Sequence, residues 1–190
     1  KPYSAVIDRS PYLAWPTYDL GDVYRKQERY EEAIAAYQKA NQLRPEWGLP
    51  HYNLGKVYSK QERYEEAIAA YQQAIQLDPT KLYPIFYDCY ELGNLCYEQE
   101  RYEEALASYK QANQLRPEWG LPHKKLGDLY SEQKRYDEAI AAYQQAIQLD
   151  PETAYYYKDL GDVCLQQERY EEAIAAYQKA IQLDPKCSLY

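Results

Sequence analysis

Few side chains of this protein have the types and the spacing that catalysis or metal binding requires. Cys89 and Cys96 lie seven residues apart, and both histidines are far from them in the sequence, which is not the spacing of a zinc site. Paired carboxylates such as Glu31-Glu32 could act as acid and base, but they recur as solvated helix surface. The sequence has neither a glycine-rich phosphate loop nor a Ser-His-Asp spacing. We therefore expect no catalysis, no cofactor and no metal.

The regularly spaced residues are structural. Leu-Gly pairs recur five times, and a proline follows each glycine after 24 residues. The glycines are Gly21, Gly55, Gly93, Gly127 and Gly161, and the prolines are Pro45, Pro79, Pro117, Pro151 and Pro185. Successive glycines are 34, 38, 34 and 34 residues apart. Repeats of this length stack side by side and contact mainly their neighbours, so we expect the function on an assembled surface.

Each repeat has the pattern of a helical hairpin. In the first repeat, the apolar residues of segment 30–41 follow the three-four spacing of an amphipathic helix, and those of segment 20–27 form a shorter helix upstream. Gln27-Glu28-Arg29 is expected to form the turn between them. A glycine inside a helix costs about 1 kcal/mol relative to alanine, so we expect Gly21 where the two helices approach closely. Pro45 is expected to end the second helix, because it lacks an N–H group.

The composition limits the partners. The 190 residues include 22 basic and 30 acidic ones, and the formal net charge of −8 opposes binding to nucleic acid or to anionic membranes. No apolar run approaches the roughly 20 residues of a membrane span, and the start Lys1-Pro2-Tyr3-Ser4 is unlike a signal peptide. We expect a soluble, cytoplasmic protein with reduced cysteines. The absence of Met, even at position 1, suggests that the residues were taken either from a longer protein or from a recombinant expression sequence.

The repeated residues closely resemble the tetratricopeptide repeat. That family has Leu-Gly, an aromatic residue, Ala, an aromatic residue, Ala and Pro in this order. The first repeat matches it with Leu20-Gly21, Tyr24, Ala33, Tyr37, Ala40 and Pro45. The resemblance implies an all-α fold, namely a right-handed superhelical solenoid of antiparallel helix pairs. It also implies a scaffold whose first helices line a concave groove that binds a peptide or a partner segment.

The resemblance covers residues 14–187. We expect an irregular N-terminal segment (1–13), a tail (188–190), an insertion (82–85) and a single array of repeats at 14–47, 48–81, 86–119, 120–153 and 154–187. The insertion adds about one helical turn, so the first helix of the third repeat is expected to extend back to Pro84. Cys96 and Cys164 replace the first aromatic residue of their repeats, and we expect them to be small core residues.

One junction between repeats occurs twice. Segment 40–51 returns unchanged as segment 112–123, which indicates either recent copying of two repeats or two matched binding features. Trp47 and Trp119 are expected to cover these junctions, and His51 and His123 are expected to be packing residues.

The groove of the family is lined by residues three before and one after the glycine. The former are Tyr18, Tyr52, Tyr90, Lys124 and Lys158, and the latter are Asp22, Lys56, Asn94, Asp128 and Asp162. Tyrosines on successive repeats would offer a flat, amphipathic surface to an extended peptide. The alternative stays open that the tyrosines reflect a tyrosine-rich chain and that the Lys-Asp pairs are ordinary intrahelical pairs four residues apart.

The partner itself is not identified by the sequence. The family's clamp for the C-terminal carboxylate of chaperones is not expected, because Tyr18 and Asp22 stand where it needs a basic residue and Asn. An uncovered last repeat has three explanations: the natural protein continues, this edge pairs with another copy, or the repeat tolerates exposure. The second predicts a homo-oligomer formed by end-to-end stacking of terminal repeats. Two other classes of function stay open, a substrate-presenting or targeting arm of a larger, glycosyltransferase-like enzyme and an engineered, consensus-like scaffold without a natural ligand.

Overall fold

The computed structural model describes residues 11–77 and 85–184, which form α-helices joined by short turns. A short 3-10 helix, Pro11–Leu13, comes first. The α-helices are α1 (Ala14–Lys26), α2 (Tyr30–Leu43), α3 (Gly48–Lys60), α4 (Tyr64–Leu77), α5 (Ile85–Glu98), α6 (Tyr102–Leu115), α7 (Gly120–Glu132), α8 (Tyr136–Leu149), α9 (Ala154–Gln166) and α10 (Tyr170–Leu183). None of the described residues lies in a β-strand. The chain is an all-α helical-repeat solenoid, as the sequence predicts.

The turn inside each hairpin is built in the same way. Glu28 has a φ of 58°, in the left-handed region, and the N–H of Arg29 donates to the carbonyl of Tyr24 over 2.9 Å. The equivalent residues Glu62, Glu100, Lys134 and Glu168 have the same backbone conformation. The guanidinium of Arg29 lies 4.5 Å from the centre of the Tyr24 ring and pairs with Glu32 in the first turn of α2. The predicted turn at residues 27–29 is therefore confirmed.

The recurrent glycine lies against an aromatic ring. A Cβ atom built on Gly21 would be 2.6 Å from Cε1 of Tyr37, which is closer than side chains tolerate. The same contact joins Gly55 to Tyr71, Gly127 to Tyr143 and Gly161 to Tyr177. The glycine thus allows a tyrosine of the second helix to lie directly on the backbone of the first helix. This confirms the predicted close approach and identifies a side chain as the approaching group.

Contacts between Cα atoms divide the chain into two compact units, residues 1–95 and residues 96–190. In the first unit, α2 packs on both α1 and α3, and α3 packs on α4. Trp47, which precedes α3, packs on Trp15 and Tyr18 of α1 with ring centres 4.5 and 5.0 Å apart. The prediction that Trp47 covers this junction is confirmed.

The second unit has the same packing. In it α8 packs on both α7 and α9, α6 packs on α7, and α9 packs on α10. Leu129 on α7 and Val163 on α9 are buried. Cys96 and Cys164 are also buried, which confirms them as small core residues. Cys187 lies outside the described residues.

The predicted helix ends agree with the structure where it describes them. Helices α2, α6 and α8 end two residues before Pro45, Pro117 and Pro151, whereas Pro79 and Pro185 lie outside the described residues. So do residues 82–84 of the predicted insertion and residues 1–10 of the N-terminal segment. Helix α5 begins at Ile85 and has 14 residues, one more than α1, α3, α7 or α9. Within the described ranges, no helix is long and apolar enough to cross a membrane.

Candidate functional site

The predicted groove residues lie on the first helices of the hairpins. In the first unit they are Tyr18 and Asp22 on α1, Tyr52 and Lys56 on α3, and Tyr90 and Asn94 on α5. In the second unit they are Lys124 and Asp128 on α7, and Lys158 and Asp162 on α9. The two members of each pair are four residues apart, so they share one face of their helix.

Tyr18 is packed, unlike a residue of an open surface. Only 8 % of Tyr18 is exposed, and Nδ2 of Asn53 donates a hydrogen bond of 2.7 Å to its hydroxyl. Its ring also lies 5.6 Å from that of Tyr37. Burial, followed by the charge of Asp22, raises the pKa of Tyr18. Tyr18 thus contributes mainly to the α1–α3 junction, and the expected row of open tyrosines does not begin at this residue.

Asp22 is the centre of a hydrogen-bond network. Its Oδ1 atom accepts a bond of 2.7 Å from the hydroxyl of Tyr37, and weaker bonds from Asn53 at 3.3 Å and from Nη2 of Arg25 at 3.2 Å. Burial, followed by the hydrogen bond to Asp22, raises the pKa of Tyr37. Because Asp22 is half-buried and engaged by both helices of its hairpin, it holds α2 on α1.

The second unit contains the same bridge in both of its complete hairpins. The hydroxyl of Tyr143 donates to Oδ1 of Asp128 over 2.9 Å, and that of Tyr177 donates to Oδ1 of Asp162 over 2.7 Å. In each case the tyrosine lies against the glycine that precedes the aspartate. We call this arrangement, seen also in Tyr37 and Asp22, the tyrosine–aspartate bridge.

The lysines of the second unit pair with these aspartates. Lys124 lies 2.8 Å from Asp128 on its own helix and 3.2 Å from Asp159 on α9, and Lys158 lies 2.8 Å from Asp162. Burial lowers the pKa of Lys124, but its bonds to Asp128 and Asp159 outweigh burial and leave that pKa raised. Intrahelical Lys-Asp pairing, one of the two alternatives left open by the sequence, is therefore observed, and Lys124 also joins α7 to α9.

The second repeat departs from this arrangement. Lys56 stands where the first, fourth and fifth repeats have the bridging aspartate. Its Nζ atom lies 5.1 Å from the centre of the half-buried Tyr52 ring, which is itself 5.8 Å from the ring of Tyr71. Tyr71 lies against Gly55, as its equivalents lie against their glycines. The Tyr71 hydroxyl consequently has no aspartate beside it at position 56.

A cavity of about 430 Å³ opens beside Lys56 in the first unit. Four cationic residues line it, Arg25, Lys26, Lys56 and Lys60, together with Glu28 and Glu91. Val57, Ser59, Tyr30 and Tyr71 complete the lining. We call it the basic cavity, since cations outnumber anions in its wall although the whole chain is acidic.

Sequence reasoning selected Lys56 for this surface but missed most of the cavity. The signal lay in the fifth residue after each glycine, which is Lys26 and Lys60 in the first two repeats but Glu98 and Glu132 in the next two. Tyr71 could be recognised as part of the cavity only after the equivalent tyrosines of other repeats were seen to bridge to an aspartate.

His51 and His123 are half-buried, and burial lowers the pKa of each. The described residues include no cluster that could hold a metal ion.

Comparisons with known proteins agree with this geometry. Profiles of the tetratricopeptide repeat match residues 21–62, 49–81, 90–152 and 124–186. No curated protein matches the chain in sequence.

Solved structures with the same fold cover most of the chain. A crystal structure of MamA is 25 % identical to this chain, with a TM-score of 0.79. The match covers 90 % of this chain and 98 % of the MamA chain. YrrB, described as a tetratricopeptide-repeat protein with an unusual peptide-binding site, is 24 % identical over 90 % of this chain and 87 % of its own, with a TM-score of 0.74. PilF of Pseudomonas aeruginosa is 23 % identical over 89 % and 75 %, with a TM-score of 0.73. The profile matches, the hairpin geometry and the shared solenoid together show that the chain belongs to the tetratricopeptide-repeat family.

Proposed function

We propose that the chain is a non-catalytic scaffold that binds an extended peptide along the first helices of its first unit, α1, α3 and α5. The observation that carries this proposal is the basic cavity, which is lined by the predicted groove residue Lys56, whose Nζ atom lies 5.1 Å from the centre of the half-buried Tyr52 ring. Proteins of this family act in protein interactions, and the similarly folded YrrB has a peptide-binding site. An aromatic ring beside a cation offers a peptide both apolar contact and charge.

The predicted groove residues would have different roles in such binding. Tyr52 and Lys56 would contact the peptide directly, with Tyr90 and Asn94 continuing the surface along α5. Tyr18 and Asp22 would support it, because both are engaged in packing and hydrogen bonds within the first two hairpins. In the second unit, Lys124, Asp128, Lys158 and Asp162 pair with one another, so a ligand there would have to compete with these pairs.

Selection of displayed random peptides on the purified chain tests the proposal. Tyr52→Ala and, separately, Lys56→Ala should each weaken binding of a selected peptide about tenfold, since each removes part of one aromatic and cationic contact. Tyr12→Ala is the matched control, because Tyr12 is exposed at the N-terminal side of α1, away from the cavity. Failure to select any peptide would refute the function, and unchanged binding by both variants would place the site elsewhere.

We further propose that terminal repeats of two copies stack end to end. Ile174 and Ile181 on α10 are about half exposed. Ile140, the equivalent of Ile174 in the preceding repeat, lies on α8, on which α9 packs, and is only 4 % exposed. At the other terminus, Leu20 and Val23 on α1 are similarly exposed, although their equivalents on α3 are buried. The α1 of a second copy would therefore cover α10 as first helices cover second helices within the chain.

Sedimentation equilibrium tests the stacking. The mass of the unmodified chain should rise above that of one chain as concentration increases, and Ile174→Lys should abolish the rise because it buries a charge in the contact. Ala175→Lys, at an exposed neighbouring position, is the control that should still associate. A mass of one chain at every concentration would contradict the proposal. The cytoplasmic location stays a prediction.

A further inference from the structure

The second repeat lacks a carboxylate that other repeats supply from within the chain. In the tyrosine–aspartate bridges, the hydroxyls of Tyr37, Tyr143 and Tyr177 each donate to a carboxylate one residue after the glycine. Lys56 occupies this position in the second repeat, and an ammonium group has no lone pair with which to accept. The second repeat therefore presents the donor of the bridge without its acceptor.

Tyr71 provides this donor and faces the basic cavity. The residue is 3 % exposed and lines the cavity wall, and its ring lies on the backbone of Gly55. Its hydroxyl makes no side-chain hydrogen bond with any residue in the parts of the chain that the structure describes. The hydroxyl is not one of the fully buried polar atoms that lack a partner, so it is open to the cavity. A charged ligand that accepts from it replaces a bond to water with a stronger, charge-assisted bond.

The wall of the basic cavity carries more cations than anions, which favours an anionic ligand. Lys56, Lys26 and Lys60 line the same cavity, and Arg25 lines it while bound to Asp22. Glu28 and Glu91 in the wall oppose an anion, and burial, followed by the charges of Glu91, Tyr52 and Asp88, raises the pKa of Tyr71. The four cations of the wall nevertheless outnumber its two glutamates. A carboxylate fits this set because it accepts from a hydroxyl with one oxygen and pairs with an ammonium group through the other.

We propose that the basic cavity binds a side-chain carboxylate, from a Glu or Asp of the bound peptide, which accepts a hydrogen bond from Tyr71 and pairs with Lys56. The ligand carboxylate takes the place that Asp22 has in the first repeat. This inference rests on the proposed function, since it assigns the partner of that surface to acidic peptides. It also distinguishes the second repeat from the first, fourth and fifth, whose own aspartates occupy the equivalent place.

Three peptide libraries test the inference. All are short and acetylated, with uncharged residues at the randomised positions. The first has a central Glu and an amidated C-terminus, the second has Gln in place of Glu, and the third has Gln with a free C-terminal carboxylate. We expect selected Glu peptides to bind about tenfold or more tightly than their Gln counterparts, as a charge-assisted hydrogen bond implies. Equal affinity for Glu and Gln peptides would overturn the proposal, and so would binding of the third library alone, which would identify a terminal carboxylate as the ligand.

Two variants test the residues. Lys56→Asp supplies the missing carboxylate from the chain itself, so it should fold like the repeats that carry this aspartate and should abolish the preference for Glu. Lys39→Asp makes the same charge change on the exposed face of α2, outside the cavity, and should leave the preference intact. Tyr71→Phe removes only the hydroxyl and should reduce the preference several-fold, even if Lys56→Asp fails to fold. A full preference for Glu in Tyr71→Phe would overturn the role of Tyr71.

The outcomes separate this inference from the function on which it rests. Peptides whose binding depends on Tyr52 but shows no preference for Glu would support the scaffold function and contradict the carboxylate site. A lack of any peptide binding in all three libraries would count against both.

Discussion

Replacing Gly127 by alanine tests the contact that defines each hairpin. Helix propensity alone predicts that the change stabilises the protein by about 1 kcal/mol. The structure predicts the opposite, because the new Cβ atom would lie 2.6 Å from Cε1 of Tyr143. This ring cannot easily move, since Tyr143 is 3 % exposed and its hydroxyl donates to Asp128 over 2.9 Å.

The magnitude follows from the two interactions that must give way. Overpacking of a core costs about 1 to 3 kcal/mol. Displacing the ring also breaks a hydrogen bond to a charged acceptor, which is worth about 1.5 to 3 kcal/mol. After the gain in helix propensity is subtracted, Gly127→Ala should lower the free energy of unfolding by about 1.5 to 5 kcal/mol.

Urea unfolding followed by far-UV circular dichroism measures this change, provided that the slope with denaturant is unaltered. Gly161→Ala is the matched comparison, because it makes an equivalent contact of 2.7 Å with Tyr177, which is only half-buried and can shift toward solvent. We expect a smaller loss for Gly161→Ala than for Gly127→Ala. A gain in stability for Gly127→Ala would refute the reasoning, because it would mean that the tyrosine contact does not select the glycine.

Three further predictions concern titration, thiol reactivity and the turns. Burial, followed by the bond to Asp162, raises the pKa of Tyr177 to about 12. Because the unfolded chain loses this proton at lower pH than the folded chain, the free energy of unfolding should fall between about pH 10 and pH 12. In urea unfolding, Tyr177→Phe should flatten that part of the pH profile. Burial, followed by the charge of Asp88, raises the pKa of Cys89 to about 12. In a background that carries Cys96→Ala, Cys164→Ala and Cys187→Ser, alkylation of Cys89 should therefore be about a hundredfold slower in the native state than in urea, and comparable rates would contradict its burial. Glu62 has a φ of 59°, so Glu62→Gly should raise the melting temperature by a few degrees while Glu62→Ala should not, and equal effects would argue against strain at this turn.

The helices could be predicted because their determinants are local. The three-four spacing of apolar residues, the segment 27–29 and Pro45 each act within one hairpin, and the structure has α1, the turn and α2 where they indicate. Small residues at aromatic positions, such as Cys164, are buried for the same reason, because the repeat fixes which side of the helix they occupy.

The candidate site was less predictable because its properties depend on contacts between repeats. Tyr18 is buried against Trp47, at the end of the first repeat, and against Asn53 of the second repeat, and no spacing reveals these contacts. The engagement of Asp22 depends on Tyr37, fifteen residues later on the facing helix. The spacing from the glycine therefore predicted on which helices these residues lie but not whether their polar groups were already bonded.

The sequence separation of these contacts has a consequence for folding. A tyrosine–aspartate bridge such as that of Tyr37 and Asp22 joins residues only fifteen apart, whereas the contact of Tyr18 with Asn53 joins residues 35 apart. Closing the shorter loop costs less chain entropy, so one hairpin can form before its neighbour is in place. The second repeat has no such internal bridge at Lys56, and this makes it a poorer place for folding to start than the first, fourth and fifth repeats. We expect structure to begin in hairpins that carry the bridge and to spread from them, so that the repeat with the open cavity is ordered by its neighbours.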